Sequence, residues 1–121
     1  MEIKKNIGII GLGVGEAHIR GFEQHPNCKV VAVCDFSKEK RNYAHKNYPH
    51  LMVTSHPDQI LEDPDIDVVS IASYDNYHYD QIIKAIKNEK HVFVEKPICM
   101  YEKEAKNIYS LLKKISFKNI F

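Results

Sequence analysis

Asn6-Ile7-Gly8-Ile9-Ile10-Gly11-Leu12-Gly13-Val14-Gly15-Glu16-Ala17-His18 decides how the rest of the chain is read. The apolar run Ile7 to Ile10 has the length of a strand buried on both faces. It breaks into glycines at every second position, and the residues from Glu16 to Glu23 then have the pattern of a helix. A strand, a glycine turn and a helix N-terminus together make a seat for a phosphodiester anion. Glycine, lacking Cβ, lets the backbone turn tightly and approach a ligand. The unpaired N–H groups and the positive dipole end of the helix then face the negative charge. Dinucleotide-binding turns usually read G-x-G-x-x-G. Gly11-x-Gly13-x-Gly15 is one residue tighter, so its meaning depends on the residues downstream of it.

Working outward, the first helix is expected over about Gly15 to Gln24, with Ala17, Ile19 and Phe22 towards the sheet and His25-Pro26-Asn27 as its stop. Lys29 to Cys34 reads as a second strand that ends on Asp35, roughly two dozen positions after Gly11. A carboxylate there can accept hydrogen bonds from an adenosine ribose. Without the glycine turn, a helix-capping or turn aspartate would explain it as well. Ser37 is the expected N-cap of a Lys- and Arg-rich helix from Lys38 to about Asn47, whose charge is read as a solvated face.

Leu51 to Thr54 makes a short third strand, and Ser55-His56-Pro57-Asp58 has the look of a capping box opening a short helix. Ile66 to Ala72, rich in β-branched residues, is the fourth strand. Ser73 to His78 is a second irregular segment, leading into a helix with Tyr79, Ile82, Ile83 and Ile86 at helical spacing. Asn88 is the expected left-handed residue after it. His91 to Glu95 is the fifth strand, and Lys96-Pro97 ends it. A last helix carries Tyr101, Ala105, Ile108, Leu112 and Ile115 on one stripe, and Ser116 to Phe121 could add a sixth strand.

Strands alternating with helices imply an α/β fold with a doubly wound parallel sheet, three layers deep, in the Rossmann order 3-2-1-4-5-6. The Gly11 turn, Asp35, Ser73 to His78 and Glu95-Lys96 all fall at strand C-termini, which line one crevice in such sheets.

At 121 residues the chain fits one domain. Seventeen basic against sixteen acidic residues leave a formal charge of +1, which points to neither a nucleic-acid nor an anionic-membrane partner. No apolar run has membrane-spanning length, and Met1 to Lys5 leads straight into the first strand without a signal segment. Cys28, Cys34 and Cys99 are odd in number and form no C-x-x-C pair, so a reduced, cytoplasmic chain is expected. His45, His50 and His56 lack metal-site spacing, and no metal is expected. The absence of G-x-x-x-x-G-K-[ST] excludes a P-loop triphosphatase.

Gly11-Leu12-Gly13-Val14-Gly15-Glu16-Ala17-His18, with Lys90-His91-Val92-Phe93-Val94-Glu95-Lys96-Pro97 later in the chain, resembles the glucose-fructose oxidoreductase/inositol dehydrogenase/MocA-type oxidoreductases. The resemblance covers about Ile3 to Ile115. It implies an N-terminal Rossmann domain for NAD or NADP, with hydride transfer at a carbon of a sugar, cyclitol or related small molecule. It also implies that Lys96 lies near the nicotinamide and the substrate hydroxyl, with Glu95 beside it. The chain departs from the family's pattern at Ser73-Tyr74-Asp75, where Thr-Pro-Asn is common. It departs again at Glu89, where a helix-ending glycine is common, and at Cys99-Met100, which replaces a polar cap. In the family a larger α/β substrate domain begins about where this sequence ends, so the chain is expected to be the cofactor half alone, inactive or nearly so.

The cofactor contacts expected are therefore Gly11, Leu12, Gly13, Val14, Gly15, Asp35, Ser73, His78, Glu95 and Lys96, with Lys96 as the catalytic group. Asp35 favours NAD over NADP because its charge repels a 2′-phosphate, although Lys38, Lys40 and Arg41 lie close enough in sequence to soften that preference. His78, at a helix start, is expected to face the crevice. His18 is expected to pack or cap rather than exchange protons. Phe117, Ile120 and Phe121 are expected to lack partners and to favour self-association. Two other readings share parts of this pattern: an S-adenosylmethionine methyltransferase, which Glu95-Lys96-Pro97 disfavours, and a non-enzymatic nucleotide-binding or interaction remnant.

Overall fold

The apolar run after Lys5 is the middle of a sheet. In the structure, a computed structural model that describes residues 4–115, strand β1 spans Lys5–Ile10 and is paired on both sides. The remaining elements are α1 (Gly15–Glu23), β2 (Cys28–Cys34), α2 (Lys38–Asn47), β3 (Met52–Thr54), α3 (Asp58–Leu61), β4 (Val68–Ile71), α4 (His78–Lys87), β5 (His91–Val94) and α5 (Glu102–Lys114). A 3-10 turn at Asp75–Tyr77 leads into α4. Every strand pair is parallel, in the order β3-β2-β1-β4-β5. That is the expected Rossmann order over the described residues; the sixth strand expected at Ser116 to Phe121 lies outside them.

Burial on both faces follows from the alternation of β1. Ile7 and Ile9 join Ile19 of α1 and Ala44 of α2 in one apolar cluster. Ile10 points the other way, into a cluster with Ile60, Leu61, Ile82, Ile86 and Ile108. A register shift after Ile7 pairs Gly8 with Ala32 and leaves Val31 unmatched, so β2 keeps Val30 and Val33 on one face and Ala32 and Cys34 on the other. Gly8 is required by its neighbours, because a Cβ there would meet Ile60 Cγ2 at 2.5 Å and Ile66 Cδ1 at 3.3 Å.

Several local expectations are corrected. Ala17 is exposed rather than turned to the sheet; the inward face of α1 is Gly15, His18, Ile19 and Phe22, as i, i+3, i+4 spacing requires. Ser55 caps nothing: α3 begins after Pro57 with no side-chain cap, and Thr54 Oγ1 takes the local role by accepting from His56 N at 3.0 Å. The left-handed residue after α4 is Glu89, at φ 60°, while Asn88 stays at φ −93°. Ser37 caps α2 as expected, accepting from Lys40 N at 3.3 Å. At the start of α5, Glu104 reaches back to accept from Met100 N at 2.9 Å and Tyr101 N at 3.3 Å, which supplies the cap that Cys99-Met100 lack.

Candidate functional site

The three glycines of the turn do three different jobs. Gly11 sits at φ 95°, and a Cβ on it would collide with the Ala72 carbonyl at the end of β4. Only glycine meets both demands, and Gly11 N donates to Cys34 O at 2.7 Å to lock the turn against β2. Gly15 opens α1, where a Cβ would stand 2.9 Å from Ile9 Cγ2, so its absence lets the helix lie close on β1. Gly13 has neither reason. Its φ is ordinary, and a Cβ would meet only the flexible end of Lys40, Nζ at 3.4 Å. The room above Gly13 is therefore open to something that is not this chain. Val14, at the N-cap of α1, makes no side-chain cap, and the Gly13 and Val14 amides have no hydrogen-bond partner among the described residues.

Asp35 faces this turn from the end of β2. Its Oδ2 accepts from Leu12 N at 2.8 Å and its Oδ1 from Ser37 N at 2.8 Å. Two backbone donors fix the carboxylate, and each oxygen keeps a lone pair for a further donor. Arg41 donates to the carbonyls of Asp35 and Phe36 at 2.9 and 2.8 Å, so its charge supports the loop. A cavity of about 420 Å³ is lined by Gly11, Gly13, Val14, Asp35, Ser73 and, at its outer wall, Phe36 with Lys40 and Tyr74. Phe36 meets Tyr77 edge-on, ring centroids 5.4 Å apart. Cys34, at its floor, is inert: burial, with help from the Asp35 charge, pushes its thiol up to about 12.

Glu95 and Lys96 stand further along the sheet, at the end of β5 and outside the lining of that cavity. Glu95 does not pair with Lys96. Its Oε1 is 2.8 Å from His18 Nε2, and His18 Nδ1 is 2.6 Å from the buried Ser70 hydroxyl. An imidazole carrying its proton on Nε2 satisfies both contacts, donating to Glu95 and accepting from Ser70. Phe93 closes the ring from the side at 5.3 Å. The Lys96 ammonium is exposed and has no hydrogen bond or ion pair among the described residues. Lys96-Pro97 is a cis peptide.

His78 corrects an expectation. Rather than facing the crevice, it is 1% exposed, with Nε2 2.8 Å from Ser73 O and Nδ1 2.6 Å from Pro97 O. Both ring nitrogens face backbone carbonyls, which only accept, so a neutral ring donates to one of them and packs its other nitrogen against the second, lying between the loop after β4 and the loop after β5. Ser73 itself turns its hydroxyl to Gln81 Oε1, donating at 2.6 Å. Ser70 escaped the sequence reading; His18, expected to pack or cap, lies between Ser70 and Glu95, on the face of α1 where spacing places it with Gly15 and Ile19. Among the described residues no group of side chains could hold a metal ion, and no helix is long and apolar enough to cross a membrane.

Comparison with known proteins gives a consistent result. The family model described as "Oxidoreductase family, NAD-binding Rossmann fold" matches residues 5–118. An inositol 2-dehydrogenase/D-chiro-inositol 3-dehydrogenase of Lacticaseibacillus casei is 37% identical over 106 residues, covering 84% of this chain and 30% of that protein. The scyllo-inositol 2-dehydrogenase (NAD(+)) of Bacillus subtilis is 34% identical over 108 residues, 88% of this chain and 32% of that protein. Among solved structures, the myo-inositol dehydrogenase of Lactobacillus casei in complex with NAD(H) and myo-inositol aligns with a TM-score of 0.87 at 32% identity, covering 98% of this chain and 36% of that one. The chain thus spans about a third of the length of these relatives. With an uncapped helix behind a glycine turn, an acid at the end of β2 and a family model over nearly all of its length, this chain belongs to the glucose-fructose oxidoreductase/inositol dehydrogenase/MocA family of oxidoreductases and carries that family's NAD-binding Rossmann domain.

Proposed function

We propose that the chain is the cofactor half of an NAD-dependent dehydrogenase acting on a cyclitol or a related polyhydroxy compound, and that by itself it binds cofactor without turnover. The observation that carries the reading is Gly13, whose missing Cβ serves no need of the fold and leaves open room over unpaired amides. In this reading Gly11, Leu12, Gly13, Val14 and Gly15 seat the pyrophosphate, and Asp35 accepts from the adenosine ribose. Ser73 borders the adenosine cavity, and Glu95 and Lys96 serve the nicotinamide end. His78 supports that end through Ser73 and Pro97 rather than by touching the cofactor. Bound there, NAD would supply the hydride acceptor. Lys96 holds the substrate hydroxyl whose proton leaves as the carbon is oxidised.

NAD is the preferred cofactor and NADP the weaker one, because the Asp35 carboxylate is held in place by two amides and cannot swing away from a 2′-phosphate. A cytoplasmic setting fits three unpaired thiols. The substrate would be a small molecule, and we assign no nucleic-acid or membrane partner. Calorimetric titration with NADH and NADPH tests the reading. NADH should bind more tightly, and Asp35→Ala should weaken NADH by about tenfold, the worth of one charge-assisted hydrogen bond, while NADPH loses little. Tighter binding of NADPH to the unaltered chain would contradict it.

A further inference from the structure

Lys96 is the one residue of Glu95-Lys96-Pro97 with no hydrogen bond to its side chain or backbone carbonyl among the described residues, yet the residues on either side of it each lie within hydrogen-bond distance of a histidine ring. On one side the Glu95 carboxylate, itself only 35% exposed, is held by His18, which is 11% exposed and reaches it from α1. His18 is in turn anchored on Ser70 of β4 and braced by Phe93 of β5. On the other side the Pro97 carbonyl is held by His78 of α4, whose second nitrogen meets Ser73 O at the end of β4. The two rings come from helices on opposite faces of the sheet, since α1 packs into one apolar cluster and α4 into the other. The segment carrying Lys96 is thus gripped from both layers.

We propose that His18 and His78 are positioning residues for Lys96, fixing the backbone before and after it so that its ammonium stands at the nicotinamide end of the crevice. The inference rests on the cofactor reading above and adds to it. Its geometry comes from the sheet order. Asp35 ends β2 on one side of β1, whereas β4 and β5 lie on the other. A dinucleotide crossing the β1/β4 switch point from Asp35 brings its second nucleotide over the ends of β4 and β5. A long, flexible lysine side chain acts at one place only if its Cα is fixed, and a strand end running into a loop does not fix it unaided. The same arrangement explains why Glu95 is not spent on Lys96: its partner is His18, which leaves the ammonium available.

The test compares two ligands on the full chain, NADH and ADP-ribose, which lacks the nicotinamide. The unaltered chain should bind NADH more tightly than ADP-ribose. Lys96→Met sets the benchmark and should weaken NADH about tenfold, one charge-assisted contact, with ADP-ribose unchanged. His18→Leu and His78→Gln should each weaken NADH towards the Lys96→Met level and spare ADP-ribose. Combining His18→Leu with Lys96→Met should cost no more than Lys96→Met alone, a non-additivity that general loosening of the fold would not produce. Should His18→Leu fail to fold, Glu95→Gln, which keeps the volume and breaks the charged contact, carries the same expectation. Equal losses of NADH and ADP-ribose, or losses that simply add in the double variant, would overturn the positioning role. A chain that binds ADP-ribose and NADH equally well would overturn it too while leaving the cofactor reading intact. A chain that binds neither ligand would overturn the cofactor reading first, and this inference with it.

Discussion

At the scale of single residues, the glycines and Cys34 behave differently from what their residue type suggests. Glycine spacing announced a turn, but spacing alone could not separate Gly11, which the backbone conformation demands, from Gly13, which it does not. That distinction needs the positions of Ala72 and Lys40, both brought in by tertiary structure. Glu89 is the opposite case: a residue with Cβ at φ 60°, where the family commonly has glycine. Glu89→Gly should stabilise the chain by about 1 kcal/mol, read as a rise in the urea midpoint at unchanged slope. Cys34 should resist alkylation between pH 7 and 9 while Cys28 and Cys99 react, and it should become reactive in denaturant. The folded thiol is raised to about 12 from 9.0, so between those values the native state holds the extra proton and stability falls as pH rises. Alkylation of native Cys34 at the rate of an exposed thiol would contradict its burial.

At the scale of elements, helix α1 offers two opposed outcomes from the same substitution. Gly15→Ala puts a methyl 2.9 Å from Ile9 Cγ2 and should push the helix off β1, costing about 1–3 kcal/mol as overpacking does. Gly21 lies in the same helix with nothing within 4 Å of a new Cβ. Gly21→Ala should therefore add about 0.5–1 kcal/mol. Thermal melts of the two variants check both signs together. Existence and order of the elements were legible in the sequence because every strand is a short apolar run and every crossover is a helix. What stayed hidden was the use of polar side chains between elements. His18 could be placed on the inner face of α1 by counting, but Ser70 and Glu95 become its partners only once β4 and β5 lie side by side. His78 was legible as a helix-start residue, whereas its burial depends on Pro97, nineteen positions later, folding back over it.

For the whole molecule, the two apolar clusters, one per face, explain why this Rossmann domain holds together with a crevice at one edge of its sheet. Phe93, Ile98, Met100 and Tyr101, between β5 and the start of α5, and Tyr109 in the middle of α5 are large side chains left exposed. Phe117, Ile120 and Phe121, the residues expected from sequence to promote association, lie outside the described residues. These exposed side chains should make the chain associate as its concentration rises, read by sedimentation velocity across a concentration series; a single monomeric species throughout would contradict this. Cofactor binding as a whole turns on whether the open room above Gly13 is where the dinucleotide pyrophosphate sits. The direct measurement is a calorimetric titration of Gly13→Val with NADH, beside a circular dichroism spectrum of the same sample. A side chain whose Cβ meets only the movable end of Lys40 should leave the fold intact and weaken NADH at least a hundredfold, about 2.7 kcal/mol. NADH bound at unchanged affinity by the folded variant would contradict that placement of the pyrophosphate.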